Sequence, residues 1–119
     1  RARTAHPGAA VLVHPECRPD VTALADAVLS TSGMCRYARE SSAASFIVGT
    51  EIGLLHRLSL ENPAKTFYPL ADLAICPNMK KITLEKVLFA LEDNQFLVTV
   101  PNDVRGRARR AVDRMVAIG

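Results

Sequence analysis

The sequence predicts an α/β fold in which a short parallel sheet is covered by helices. Short apolar, β-rich runs recur at 9–13 (AAVLV), 27–29 (AVL), 45–49 (SFIVG), 65–70 (KTFYPL) and 96–100 (FLVTV). Helical patterns lie between most of them, and no repeat or low-complexity segment interrupts the alternation. Short strands alternating with helices of this length favour parallel pairing, because each helix carries the chain back to the same end of the sheet.

The elements follow in order. The opening RARTAHPGAAVLV reads as the end of a helix entering a strand, as expected of a piece of something longer. Pro19 suits a first helical turn, and Val21, Leu24, Ala25 and Val28 then form one apolar stripe. SGMCRYARES follows the second strand as a helix. IGLLHRLSLEN follows the third and stops before Pro63. Thr83 is placed to cap a helix whose Leu84, Val87, Leu88 and Leu91 face a core. VPNDVRGRARRAVDRMVAI is the last helix.

A chain of 119 residues, 49% hydrophobic, fits one domain, taken here as a single lobe spanning 1–119. No apolar run approaches membrane-spanning length and no secretory segment opens the chain, so neither membrane nor export is expected. The net charge of +3 is unevenly placed: residues 1–104 hold ten Lys/Arg against eleven Asp/Glu. The surplus lies in Arg105, Arg107, Arg109, Arg110 and Arg114. Val104, Ala108, Ala111, Met115 and Ile118 recur at helical spacing there, leaving the arginines on a solvated outer face. No aromatic platform interleaves with them, so a nucleic-acid partner is not expected. Cys17, Cys35 and Cys76 show neither CxxC zinc spacing nor a secreted disulfide framework, which fits a reducing, cytoplasmic setting.

Parallel α/β sheets bind ligands beyond the carboxyl ends of their strands. Four junctions are candidates for that edge: HPEC (14–17), STSG (30–33), GTE (49–51) and CPNM (76–79). His14 and Glu16 lie two residues apart, pointing the same way if the chain is extended, and an imidazole beside a carboxylate makes an acid–base pair. The structural alternative is a turn shaped by Pro15, with a satisfied His14 and Glu16 capping the next helix. Ser30, Thr31 and Ser32 offer hydroxyls and free N–H groups at a helix start, suited to an anion and equally to ordinary capping. Glu51 reads as the start of a helix. His56 falls mid-helix and His6 in a loop. Cys76, before a proline at a helix mouth, is either a small buried hydrophobe or a metal ligand whose partners lie elsewhere.

Taken together, VLVHPEC, STSGM with RYA just after it, FIVGTEIGLLHRL, ENPAKTFYPL, CPNMKKITLEKVLFALE and RARRAVDRMVAI resemble the quinolinate synthase family in order and spacing, from Val11 to Ile118. The resemblance implies a three-layer α/β/α lobe, the C-terminal one of three arranged about a pseudo-threefold axis. It implies a 4Fe–4S cluster taking one cysteine from each lobe, with Cys76 the ligand here and one iron left open. It implies condensation of iminoaspartate with dihydroxyacetone phosphate to quinolinate, for NAD biosynthesis, the cluster acting as a Lewis acid in dehydration rather than as an electron carrier. His14 and Glu16 match substrate-contacting positions, Glu16 being the proton-transfer group. Thr31, with Ser30 beside it, matches the part of the pocket that holds anionic groups. Cys17 and Cys35 match no ligand position, and Cys35 stands where an aliphatic residue is expected. The N-terminal lobes are absent, so the chain alone is expected to be inactive. The alternative is a non-catalytic α/β domain binding a small anion through Ser30–Ser32.

Overall fold

The computed structural model describes residues 1–118, which divide into two compact units: Arg1–Pro77 and a second beginning at Asn78. The first unit is the predicted α/β fold. Its strands are β1 (Ala10–Val13), β2 (Ala27–Val28), β3 (Ser45–Gly49) and β4 (Thr66–Pro69), all parallel, in the order β2-β1-β3-β4. Its helices are α1 (Ala2–Ala5), α2 (Pro19–Thr22), α3 (Thr31–Glu40) and α4 (Gly53–Glu61).

Side chains alternate across a strand, and the core divides accordingly. Leu12, Phe46 and Val48 point to one face, where Met34, Cys35 and Ala38 of α3 and Leu58 of α4 bury them. Val11, Val13 and Ile47 point to the other, where Ala2 of α1 and Val21 of α2 lie against them. Helices therefore cover both faces, giving three layers, and β1 and the Phe46–Val48 stretch of β3 are apolar because neither face meets water there. Cys35 is buried in the first face as a packing residue. Lys65 closes that layer, donating from Nζ to the Ala38 and Ser41 carbonyls at the C-terminal end of α3, each at 2.5 Å.

Two contacts set the sheet's edges. Asp26, just before β2, accepts from the Val11 N–H at 2.7 Å and from Arg3 Nη2 at 2.9 Å. The Val11 N–H and then the Arg3 guanidinium hold its carboxyl below the usual carboxylate range. At the far end, Gly49 ends β3 where a Cβ would lie 2.8 Å from Val13 Cγ1 and 2.9 Å from Leu70 Cδ2.

The apolar stripe expected along 21–28 is cut short. The second helix ends at Thr22, whose Oγ1 bonds the Pro19 carbonyl, and Val28 lies in β2. The tie from Asp26 to the start of β1 draws this stretch into the sheet, and Leu24 is left exposed.

The second unit holds a 3-10 turn (Met79–Lys81), α5 (Leu84–Glu92) and α6 (Asn102–Ile118). Thr83 caps α5 as expected, accepting from the Lys86 N–H. The core expected beneath α5 is absent: Leu84 is 83% and Leu91 80% exposed, and no residue from 78 to 117 is buried. Two helices and a connecting segment enclose too little volume to bury a stripe on each. The strand expected at 96–100 is also absent. Phe96 has φ 61°, in the left-handed region, and no described strand pairs with the segment, so its β-branched residues have no ladder to join.

Gly49→Ala is expected to destabilise the protein by about 1–3 kcal/mol, because Val13 and Leu70 must move apart; equilibrium urea unfolding measures it. Asp26 stabilises the fold at neutral pH, and this contribution, at most about 1 kcal/mol for a half-exposed pair, is lost as pH falls through its lowered folded-state titration, below about 4. Asp26→Asn should therefore lower the melting temperature at pH 7, and by progressively less as the pH falls below about 4.

Candidate functional site

The β1–β3 register pairs Val13 with Gly49, so the residues that follow both strands emerge at the same edge. The His14 N–H continues the ladder, donating to the Gly49 carbonyl at 3.0 Å. The chain then turns at once: the Cys17 N–H bonds the His14 carbonyl at 2.9 Å, closing a four-residue turn with Pro15 in its second place. This turn, not an extended chain, is what brings the two candidate side chains together. His14 Nδ1 lies 3.7 Å from Glu16 Oε2 and accepts from the Glu16 N–H at 3.3 Å. With Nδ1 accepting, the neutral imidazole carries its proton on Nε2. The His14 side chain is 26% exposed and that of Glu16 90% exposed, so the carboxylate stands in solvent and the imidazole is half-sheltered. Glu16 does not cap the next helix: Arg18 occupies that place, with no side-chain cap.

The turn has a second tie to β3. Cys17 Sγ lies 3.3 Å from the Gly49 carbonyl oxygen, which thus accepts from both ends of the turn. Cys17 and Gly49 fall within two of the candidate junctions, HPEC and GTE, but their contact leaves no mark in the sequence.

Beside β1, the Leu29 N–H bonds the Val13 carbonyl at 2.9 Å, and Ser30 comes next. Ser30 caps α3, its Oγ accepting from the Gly33 N–H at 3.2 Å. Ordinary capping is therefore present, and it leaves the other first-turn N–H groups without intrahelical acceptors, beside the exposed Thr31 and Ser32. His14, Glu16, Ser30 and Thr31 thus follow two neighbouring strands at one edge.

Beyond β3, Glu51 lies just ahead of α4, its Oε2 accepting from the N–H of Gly53, the helix's first residue, at 2.8 Å. The Ile52 N–H donates to the Ala74 carbonyl at 2.9 Å, tying the loop after β4 to the same edge. Cys76 lies two residues further on, half-buried with a free thiol. Among the described residues no group of three His, Cys, Asp or Glu is placed to hold a metal ion. A cluster-binding Cys76 therefore needs its fellow ligands from outside these residues.

His6 stacks on Tyr68 with ring centroids 3.6 Å apart. His56 is on the exposed side of α4. Arg109 pairs with Asp113 along α6 at 2.8 Å, and the other arginines of that helix are exposed.

The family model for quinolinate synthetase A protein matches residues 1–117. The chain belongs to the quinolinate synthetase A family. It is 58% identical over 118 residues to the quinolinate synthases of Thermodesulfovibrio yellowstonii and Methanoregula boonei, covering 99% of this chain. The quinolinate synthase of Thermus thermophilus is 48% identical over 124 residues. The chain spans 39% of the length of the first two proteins and 38% of the third. It thus corresponds to a fragment of a quinolinate synthase, and its resemblance to that family runs through the sheet, its carboxyl edge and the second unit alike.

Ser30→Ala should cost the cap of α3 about 1 kcal/mol, and Ser30→Asp should restore most of it. Thermal unfolding of the pair measures both effects.

Proposed function

We propose that this chain is the C-terminal lobe of a quinolinate synthase, spanning 1–119 and working with two further lobes that it lacks. The whole enzyme condenses iminoaspartate with dihydroxyacetone phosphate, losing phosphate and two waters as the pyridine ring closes, and so serves NAD biosynthesis in the cytoplasm. The observation that carries this reading is the shared carboxyl edge: His14, Glu16, Ser30 and Thr31 follow adjacent parallel strands of a lobe that matches the family along its whole length. No described helix is long and apolar enough to cross a membrane.

Each residue has a part suited to its surroundings. Ser30 and Thr31, at the positive end of α3, hold an anionic group of the substrate through hydroxyl and N–H donors. Glu16, exposed and so open to substrate, moves protons. His14 lends a donor at Nε2 and, when it takes a second proton, gains Glu16 as a charged neighbour at Nδ1. Cys76 gives one thiolate to a 4Fe–4S cluster. It fits that duty as a half-buried free thiol on a loop held by Ile52, with the other cysteines coming from the missing lobes. When bound, such a cluster with one open iron supplies a Lewis acid for the departure of a substrate hydroxyl. Separated from those lobes, the chain holds no cluster and makes no quinolinate.

The test is anaerobic reconstitution of the parent-length protein with iron and sulfide, beside its Cys76→Ser variant and the isolated chain. Visible absorption and quinolinate formation are recorded for all three. The parent is expected to show both, and the variant and the isolated chain neither. A variant that keeps its cluster and activity removes Cys76 from the ligand set. A parent that forms no quinolinate leaves the small-anion-binding domain as the better reading.

A further inference from the structure

We propose that Cys17 is a positioning residue. Its thiol, donating to the Gly49 carbonyl, holds the turn from which His14 and Glu16 reach the substrate. The inference rests on the functional reading above and extends it to a side chain with no ligand to bind.

Three observations carry it. The Gly49 carbonyl accepts from the two ends of the turn, from the His14 N–H at 3.0 Å and from Cys17 Sγ at 3.3 Å. The turn is otherwise closed by the Cys17 N–H to the His14 carbonyl, so at the Cys17 end of the turn the tie to β3 is the thiol's. Gly49 is itself immobile, lodged between Val13 and Leu70 where a Cβ would lie 2.8 and 2.9 Å from their side chains. An exposed turn is thus fastened to a closely packed point of β3.

The position of the fastening matters because Pro15 and Glu16 are exposed and no core packing holds them. A turn free at its Cys17 end swings the carboxylate of Glu16 relative to His14, and small misplacements of a reacting group carry large rate penalties. Cys17 also lies against the apolar cluster of Ala9, Val11, Val13 and Ile47, so packing is the competing role. The two roles rank substitutions oppositely. A hydroxyl keeps the donor and is a poorer neighbour for apolar groups, whereas a methyl keeps the apolar surface and loses the donor.

The experiment uses the full-length protein, its cluster reconstituted anaerobically, as wild type, Cys17→Ala and Cys17→Ser. Cys17→Ala is expected to lower kcat by roughly threefold, the worth of one weak hydrogen bond, with KM, cluster absorption and melting temperature little changed. Cys17→Ser is expected to recover most of that loss. Amide exchange across residues 14–17, followed by mass spectrometry, should rise in the alanine variant and return toward wild type in the serine variant. Exchange and kcat unchanged in Cys17→Ala, or Cys17→Ser worse than Cys17→Ala in both, overturns the proposal in favour of packing. The exchange readout stands whether or not quinolinate forms, so a wild type without quinolinate defeats the functional reading alone.

Discussion

The pairing of β1 with β3, which ends with Val13 opposite Gly49, is the constraint on which the rest of the first unit depends. Parallel pairing puts the carboxyl ends of both strands at one edge, and the register decides how far along that edge each following loop begins. A slip of one residue would turn Val11 and Val13 toward α3 and α4 and carry Leu12 to the opposite layer. Both layers are packed against strands with no polar face, so the cost of a slip is paid on two sides at once. The absence of a side chain at Gly49 then allows Val13 and Leu70 to close over the end of β3.

Around that frame the chain uses local polar contacts to decide where strands begin and helices start. Asp26 joins Arg3 to the Val11 amide near the start of β1, and so fixes where β2 enters the sheet. Ser30 and Glu51 each satisfy an early amide of the helix that follows, which leaves α3 and α4 starting at the same edge. Lys65 meets the opposite end of α3, where its charge complements the exposed carbonyls. Its ammonium also lies 5.7 Å from the Phe46 ring centroid, linking the helix end to the buried face of β3. Each contact fixes an end, and fixed ends keep the loops between them short.

The second unit follows a different physical logic. Its helices are amphipathic, yet Leu84, Val87, Leu88 and Leu91 remain exposed, along with Val112, Met115 and Val116 of α6. Apolar stripes of this length are uncommon on a free surface. Helix caps and intrahelical pairs, such as Thr83 with Lys86 and Arg109 with Asp113, supply local stability without any core. A fragment spanning 39% of its relatives' length is consistent with that imbalance.

What the sequence determined by itself is everything written in short-range pattern. The strands at 9–13, 27–29, 45–49 and 65–70 fall within a residue or so of β1 to β4, because continuous apolar runs bounded by polar turns leave little choice. The caps at Ser30 and Thr83 were equally legible, since capping needs only a side chain and an amide three residues on. The resemblance of the motif blocks to one family was legible for the same reason. Tertiary structure decided what depends on distant neighbours. FLVTV has the composition of a strand and no strand to pair with, so composition misled there. Leu24 and Val28 share a helical spacing that the tie from Asp26 to Val11 overrides. His14 and Glu16 come together through a turn closed by Cys17, and that turn is fastened to Gly49, 32 residues away in the chain. Contacts across such separations leave no periodic trace, because only the folded sheet brings their partners within reach.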